Sequence, residues 1–423
     1  GLPPLGSNQN TTLRDITLDM IQTAKTVGTK KTNHKPWKLS TIHSWEEWIT
    51  AERMASLIDQ TLAILQPQDV VDWYVLDLRN GNAAATDNAF RKLRRVVSWA
   101  LGDGLIKEDI TLQMAHNQRR ISVPSRNTRL EINKGEPGQF AIALANYGGI
   151  QAKHTEETIK HILLLSLLTG RRAKELKQMQ WDWVDFERGL ITIPGEVIAE
   201  DDLSTFEGTK NRQDFILPMA RIVRTMLHER EAGKETILKK ALAEQNDDVI
   251  KAASRYVFLG RDRKKPISNF RKTLERILKS ADLDPKTPHD LRRTFSDIVH
   301  LNAKDFYTTQ MAMGHTVNKI TAEYLGDMSI SEKAKLFQAV SNSISQSMPL
   351  KGLVINGSEF SFSGQEILDE DNITEIDDRG FNEDALEYLL FPKRIWRKGW
   401  ISHRGFEDAV YIAELAEAKN NHV

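Results

Sequence analysis

Cysteine is absent from the 423 residues of this chain. This absence excludes disulfides, thiol nucleophiles and cysteine–zinc sites, and it agrees with a reducing compartment such as the cytoplasm. Long hydrophobic runs are absent too, because the longest, residues 162–168, is interrupted by Ser166 and is far shorter than the roughly 20 residues of a membrane helix. The sequence therefore predicts a soluble, cytoplasmic chain whose length suits several domains.

An excess of charge of one sign is also lacking, since 58 basic and 58 acidic residues give a formal net charge of zero. This balance would argue against a nucleic-acid partner, but it is a cancellation. Residues 351–423 hold 8 basic and 15 acidic side chains, a net charge of −7, so residues 1–350 carry +7. Such asymmetry hints at nucleic-acid interaction. We hypothesise that the acidic extension shields a DNA-binding surface or restrains assembly, in which case its removal should raise DNA affinity or activity.

The patterns of common cofactor sites are missing as well. The sequence holds no G-x-x-x-x-G-K-S/T phosphate-binding loop and no evident carboxylate or histidine cluster with the spacing of metal ligands. It therefore predicts neither a cofactor nor a metal.

Composition and periodicity divide the chain into five segments. Residues 1–40 lack clear periodicity and are predicted to be a basic N-terminal segment, whereas residues 41–118 carry helical apolar stripes and are predicted to form a helical domain. Residues 119–138 are polar, basic and punctuated by proline and glycine, which is typical of an interdomain linker. A second domain over 139–350 and an acidic C-terminal extension of unknown role over 351–423 complete the chain.

Basic side chains concentrate on one predicted helix and on the linker. Over residues 89–101 one helical face is apolar, and four cations lie within five residues on the other turns. A solvated helix face explains them as well as contact with DNA phosphates does. The candidate DNA-binding residues are Arg91, Lys92, Arg94, Arg95, Arg119, Arg120 and Arg126.

The second domain is predicted to combine helices with two short strands. Helices are predicted over residues 158–168, 221–227, 237–245, 269–280, 290–301 and 308–313, and strands over 190–193 and 215–217.

Two segments of this domain place cations at turns. An apolar helix breaks at Gly170, Arg172 follows, and Glu175 comes three residues later, where its carboxylate can orient the guanidinium fork. Lys210 stands just before the second strand. Each signal is weak alone, because surface Arg/Glu pairs at helical spacing are common and a hairpin lysine is usually solvated.

Two further segments supply histidines and a tyrosine. His289 and Arg292 are three residues apart near a helix start, so they share one helical face. A capping or core histidine is the alternative interpretation of His289. Farther along the chain a helix ends at Gly314, His315 follows, and Tyr324 comes nine residues later.

Together these segments resemble the tyrosine recombinases, the phage-type integrase family of site-specific DNA recombinases. Thr169 through Glu175 resembles the family's first box, T-G-x-R-x-x-E, and His289 through Phe295 resembles its second box, H-x-L-R-H/R-T-F. The L-G-H box, with its tyrosine nine residues on, is similar to Met313 through Tyr324, with Met313 in place of leucine.

The resemblance implies a role for each polar residue. Tyr324 would attack the scissile phosphate and form a 3′-phosphotyrosine, while Arg172 and Arg292 would stabilise the charge of the transition state. Lys210 would protonate the 5′ leaving oxygen. The remaining implied residues are His289, which assists proton transfer, His315, which donates a hydrogen bond to the phosphate, and Glu175, which supports the site.

The resemblance also implies the architecture and the partners. We expect a mostly α fold with a small antiparallel β-sheet, in which a helical core-binding (SAM-like) domain and a mixed α/β catalytic domain form a C-shaped clamp on DNA. Residues 1–40 would be a remnant or replacement of an arm-binding domain. The expected partners are double-stranded DNA at recombination sites and accessory DNA-bending proteins in a bacterial or phage-infected cell. The chain would be a monomer or dimer when free and a homotetramer on two duplexes.

The segment after Tyr324 bears on that assembly. Ser329 and Glu332 have the spacing of a helix capping box, and Phe337, Val340 and Ile344 continue an apolar stripe. The stripe can pack on the chain's own core or on a neighbouring protomer, and we favour exchange with a neighbour.

Two other functions stay open at this point. A type IB topoisomerase would use the same residue types to relax DNA, but the Gly-His box and the short catalytic domain favour a recombinase. A non-catalytic DNA-binding protein on the same fold would have no reason to retain Tyr324 and both arginines.

Overall fold

The computed structural model describes residues 10–29, 35–118, 120–121, 128–148, 153–197, 206, 208–315 and 328–348, and the strands at 354–355 and 358–359. The chain divides into two compact units, Gly1–Asn127 and Thr128–Val423, at a point inside the predicted linker. The described parts are mainly helical and carry a small antiparallel sheet, which confirms the fold class predicted from the sequence.

The first unit is a helical bundle with its own apolar core. Its helices are α1 (Leu13–Thr26), α2 (Leu39–Thr50), α3 (Pro67–Asn80), α4 (Ala83–Gly102) and the short α5 (Leu112–Ala115). Helix α4 contacts α1 and α3. It buries Phe90, Leu93 and Val97 completely, because these apolar residues recur at helical spacing on one face.

Helix α1 lies in residues 1–40, for which no helix or strand is predicted from the sequence. Leu13, Ile16 and Met20 form a fully buried stripe, and the Thr12 hydroxyl accepts a hydrogen bond from the Asp15 N–H at 3.1 Å. The apolar stripe of this helix is short and lies between polar residues, so it does not stand out in the sequence. Residues 13–26 are thus part of the first unit's core, which corrects the prediction of a separate basic segment over all of 1–40.

The second unit packs helices around a long apolar helix. Its helices are α6 (Glu136–Asn146), α7 (Lys153–Thr169), α8 (Ala173–Lys177), α9 (Arg221–Ala243), α10 (Asp247–Arg255), α11 (Arg271–Ser280), α12 (Pro288–Ala303), α13 (Phe306–Ala312) and α14 (Ile330–Gln346). Helix α7 contacts α6, α8, α9, α12 and α14, so its nearly continuous apolar sequence is buried from several sides.

A three-stranded antiparallel sheet lies within the second unit. The strand order is β1 (Val184–Asp185), β2 (Leu190–Ile193) and β3 (Phe215–Pro218), and Ile193 pairs with Phe215 in the β2–β3 register. Strands β2 and β3 confirm two sequence predictions. A two-stranded hairpin, β4 (Val354–Ile355) with β5 (Ser358–Glu359), follows farther along the chain.

The glycines and proline of the predicted linker begin a helix. Gly135 has a φ of 71° and precedes helix α6, whose first turn contains Pro137. A side chain at Gly138 would overlap the backbone of Ser347, so this glycine allows α6 to approach the end of α14 closely. The prediction of a linker was therefore wrong from residue 136 onward.

Two predicted helices are one. Residues 221–227 and 237–245 were predicted as separate helices, but α9 runs from Arg221 to Ala243 without a break. Gly233 does not interrupt it, because a single exposed glycine costs a helix only about 1 kcal/mol. Within the described ranges, every helix falls short of the length and apolarity that crossing a membrane requires.

Candidate active site

The site is built around a turn at Gly170, directly after helix α7. Gly170 has a φ of 59°, a region that glycine adopts without strain. A Cβ atom at this position would overlap the ring of Phe295, which lies on α12. The glycine therefore allows the first and second sequence boxes to touch, and it directs the chain into two consecutive arginines.

Arg172 caps helix α8 and is held by Glu175. The Arg172 N–H donates to Oε2 of Glu175 at 3.0 Å, and its Nη1 donates to Oε1 at 2.8 Å. Burial alone would raise the pKa of the Glu175 carboxyl, but the charge of Arg171 and the hydrogen bonds from Arg172 hold that pKa below its ordinary value. The carboxylate is thus ionised at neutral pH, and it fixes a guanidinium that stays partly exposed.

Arg292 links the first and third boxes. Its Nη1 donates to the carbonyl of Gly170, and its Nη2 donates to the carbonyl of Met313 at 2.8 Å. Burial, with the nearby charge of Arg172, lowers the pKa of Arg292 to about 10, so the side chain remains a cation at neutral pH. Helix α12 presents it from a start capped by Thr287, whose N–H donates to Oδ2 of Asp290 at 2.7 Å.

His315 follows the left-handed Gly314, which has a φ of 62°. Its Nε2 lies 3.1 Å from Nη2 of Arg292. Because a guanidinium can only donate, Nε2 is the acceptor of this contact. Burial and the charges of Arg292 and Arg172 lower the pKa of His315, which favours the neutral ring that the contact requires.

His289 and Lys210 lie at the exposed side of the site. Partial burial and the charges of Arg293 and Arg292 lower the pKa of His289, although Asp290 acts in the opposite direction. Lys210 is exposed in the turn before β3. Its positive charge reaches His315 and contributes to the lowered pKa there.

Five of the predicted catalytic residues therefore lie within one electrostatic neighbourhood: Arg172, Lys210, His289, Arg292 and His315. Tyr324 lies outside the described residues. Arg171 was not singled out from the sequence, yet it is 2% exposed and lies directly against the site. The only sequence signal for it is the pair of consecutive arginines after Gly170.

Most of the described DNA-binding candidates have partners inside the first unit. Lys92 donates to the carbonyl of Ser44 at 2.5 Å and lies over the Trp45 ring, and Arg95 lies 4.9 Å from the Trp37 ring centroid. Arg91 pairs with Asp87 at 2.7 Å, and the same carboxylate binds Arg120 at 3.2 Å. Arg94 is partly exposed on the same helix, and Arg119 and Arg126 lie outside the described residues.

Helix α14 has the predicted capping box, since the Glu332 N–H donates to the Ser329 hydroxyl at 3.1 Å. Its stripe covers the chain's own core: Phe337 lies 5.3 Å from the Phe295 ring, and Gln338 accepts from the Arg221 N–H at 2.9 Å. In this single chain α6, α7, α12 and β3 bury the stripe, as the alternative interpretation expected, and its exchange with a neighbouring protomer stays a prediction.

Known proteins resemble both the sequence and the fold. Residues 144–328 match the family model described as the phage integrase family. Prophage integrase IntZ of Escherichia coli (strain K12) is 25% identical over 324 residues, which cover 73% of this chain and 69% of the relative.

Solved structures of the Tn1549 transposon integrase share the fold. The integrase in complex with transposon right end DNA gives a TM-score of 0.53 at 16% identity, covering 76% of this chain and 97% of that one. The same integrase in complex with a circular intermediate DNA gives 0.51 at 16% identity and the same coverage. Residues 144–328, which hold the sequence boxes, thus match the phage integrase family, and this match supports a site-specific tyrosine recombinase.

Proposed function

We propose that this chain cleaves and rejoins DNA at the recombination sites of a mobile element through a 3′-phosphotyrosine formed on Tyr324. The observation that carries the proposal is the convergence of Arg172, Arg292 and His315 around the Gly170 turn. Two guanidinium groups and an imidazole from three separate sequence boxes match the needs of a pentavalent phosphate transition state, which concentrates negative charge on its non-bridging oxygens.

The reaction is a transesterification. The phenolic oxygen of Tyr324 forms a bond to phosphorus, and the bond between phosphorus and the 5′ oxygen breaks. Lys210 gives a proton to that departing oxygen, while the proton of the phenol passes to a base for which His289 is the candidate. A phenol with an ordinary pKa near 10 needs such help at neutral pH. Rejoining reverses these steps on the 5′ hydroxyl of a new partner, and the phosphotyrosine conserves the energy for it.

The electrostatics of the site suit these roles. Lowered pKa values keep both histidines neutral at neutral pH, so that His289 is free to accept a proton. Neutral His315 directs Nε2 at Arg292, and its Nδ1 then carries the proton that can be donated. The ionised Glu175 leaves one face of the Arg172 fork available for phosphate.

The proposed partners are double-stranded DNA and further copies of this chain. The Tn1549 relative has been solved in complex with its transposon DNA. For this chain we propose that the two units clamp a duplex and that four copies exchange strands between two duplexes. The proposed setting is the nucleoid of a bacterial or phage-infected cell, and accessory DNA-bending proteins stay a prediction.

A nicked suicide duplex tests the chemistry. A duplex carrying the chain's own recombination site, with a nick next to the cleavage position, loses the short fragment that holds the 5′ hydroxyl and so blocks rejoining. We expect a protein–DNA adduct that survives SDS. The adduct should disappear in Tyr324→Phe and persist in Tyr307→Phe, which removes a phenol elsewhere in the second unit. No adduct with the intact protein on its own site would refute the proposal.

Strand exchange distinguishes a recombinase from a topoisomerase. We expect recombinant products from two duplexes that both carry the site. Relaxation of any supercoiled plasmid without joining of the two duplexes would instead indicate a topoisomerase activity.

A further inference from the structure

Arg171 is a buried arginine that the proposed chemistry does not use. Its side chain is 2% exposed, so it is not positioned to meet DNA. Its Nε donates to the carbonyl of Thr169 at 3.2 Å, and its Nη2 donates to the carbonyl of Ala312 at 2.9 Å. The guanidinium carbon lies 3.7 Å from the centre of the Phe215 ring. One side chain thus contacts the end of α7, the end of α13 and the start of β3.

Arg171 and Arg292 form a matched pair of connections. Arg292 donates to the carbonyls of Gly170 and Met313, and Arg171 donates to the carbonyls that immediately precede them, those of Thr169 and Ala312. Two consecutive peptide groups of the first box are therefore joined to two consecutive peptide groups at the start of the third box, those of Ala312 and Met313. We name this arrangement of Arg171 and Arg292 the arginine clip.

The arginine clip contacts the backbone segments that carry His315 and Lys210, two of the residues proposed to contact the phosphate or the leaving group. Gly314 is packed so closely that a Cβ there would lie 2.8 Å from the Phe215 ring and 3.1 Å from Nη1 of Arg171. His315 is the next residue. On the other side, Phe215 opens the strand that follows the Lys210 turn. A shift of Arg171 would therefore move the backbone that carries His315 and the strand that anchors Lys210.

The residue type matters because the location is costly for a cation. Burial and the neighbouring charge of Arg292 lower the pKa of Arg171 to about 9, so the group is still charged at neutral pH. A buried cation is retained only where its donors are satisfied. The planar fork reaches two carbonyls and stacks on an aromatic ring at the same time, which a lysine ammonium cannot do.

We propose that Arg171 is a positioning residue for strand cleavage, which ties the Gly170 turn, the Gly314-His315 segment and strand β3 into one unit. The inference rests on the proposed function, since it assigns the geometry of that same site. Arg171 acts through His315 and Lys210 and does not touch the substrate. Its charge adds to the positive field at the site, and it is one of four cations that lower the pKa of His315, with Arg292, Arg172 and Lys210.

Two variants of Arg171 separate the clip from the charge. Arg171→Met keeps the approximate length of the side chain but removes the guanidinium fork and its charge. Arg171→Lys keeps the charge and removes only the fork. The control is Arg230→Met. Arg230 also donates to a carbonyl, that of Val257 at 2.8 Å, and lies 4.9 Å from the Phe258 ring centroid, and it plays no part in the site.

The measurements are the rate of adduct formation on the nicked duplex, the affinity for the intact duplex, and the pKa of His315 by NMR of isotope-labelled histidine. Rates are compared at a temperature where each variant is folded. A displacement of about 1 Å is enough to slow an active site by about 10- to 100-fold. We expect Arg171→Met to slow adduct formation within that range relative to Arg230→Met, at unchanged DNA affinity. The pKa of His315 should rise in Arg171→Met, which loses the charge, and should be unchanged in Arg171→Lys. DNA cleavage by Arg171→Lys should still be slower than that by the wild type, because the fork is lost.

Equal rates in Arg171→Met and Arg230→Met would overturn the proposal, because Arg171 would then be an ordinary core residue. If Arg171→Met does not fold, Arg171→Lys decides: cleavage at the wild-type rate overturns the proposal, and slowed cleavage with unchanged DNA affinity supports it. If the intact protein forms no adduct at all, the proposed function fails. The titration of His315 then tests the positioning role of Arg171 independently of cleavage. A His315 pKa equal to that of the wild type in both variants would overturn that role.

Discussion

Nη2 of Arg292 lies 3.1 Å from Nε2 of His315, although 23 residues separate the two in the sequence. The contact joins the second and third boxes of the recombinase pattern at one point. It is possible because Arg292 projects from a buried face of α12 and because His315 follows a glycine in the left-handed conformation. The imidazole that results is neutral, and its other nitrogen can donate a hydrogen bond.

Replacement of Gly170 tests the turn that brings the boxes together. Gly170→Ala should lower the free energy of unfolding by about 2–4 kcal/mol, because alanine is strained at a φ of 59° and its Cβ overlaps the Phe295 ring. Urea unfolding measures the change. Gly233→Ala is the matched control, since open space surrounds that helical glycine, and it should be neutral or stabilising. Equal effects of the two substitutions would contradict the close packing of Gly170 against the Phe295 ring.

Replacement of Glu175 tests the orientation of Arg172. Glu175→Gln keeps the size of the side chain but removes the charge, and we expect adduct formation to slow about tenfold because the guanidinium fork loses its fixed partner. The surface pair Arg271–Glu275, at 3.1 Å, provides the control. Glu275→Gln should cleave at the wild-type rate, and a comparable loss there would show that the effect is not specific to the site.

The half-buried His154 contributes to the pH dependence of stability. Burial and the charges of Arg263 and Arg230 lower its pKa to about 4, whereas the unfolded chain has an ordinary value of about 6.5. The unfolded state thus binds more protons between these values, so the contribution of His154 is complete above about pH 6.5 and is lost as the pH falls towards 4.

Denaturant unfolding at pH 7.5 and pH 5 checks this sign. We expect the wild type to lose stability at the lower pH and His154→Gln to lose less. His43→Gln, whose side chain is 73% exposed, should keep the full pH dependence. A wild type that gains stability on acidification would refute the assignment.

Replacement of two arginines of α4 compares a cation that packs on the core with a cation that lies on the surface. Arg95→Met should lower the free energy of unfolding by about 1 kcal/mol, because the guanidinium lies over Trp37 and donates to the Thr29 hydroxyl at 3.3 Å. Arg91→Ala should change it by less than about 0.5 kcal/mol, since the Arg91 side chain is 67% exposed. Thermal or denaturant unfolding measures both, and equal effects would contradict the distinction.

Local features were predicted well from the sequence. The capping box at Ser329 and Glu332, the apolar helix α7, and strands β2 and β3 all depend on residues that are neighbours in the chain. The predicted recombinase boxes also identify the residues that meet around Gly170, because the order and spacing of these polar residues are a property of the sequence.

Features that depend on distant contacts were missed. Arg171 shows its significance only through carbonyls at Thr169 and Ala312 and the ring of Phe215. Lys92 and Arg95 resembled DNA-binding residues until the structure placed Trp45 and Trp37 beneath them.

The sequence by itself determined the resemblance to the recombinase family, the mainly helical character and the identity of the candidate catalytic residues, because these follow from residue type and spacing. Only the tertiary structure decided which cations pack against other groups of the chain and which are exposed at the surface. It also decided on which surface helix α14 packs. The physical reason is that a buried charge requires partners, and an apolar stripe requires a surface to cover it. Those partners come from parts of the chain that no local pattern connects.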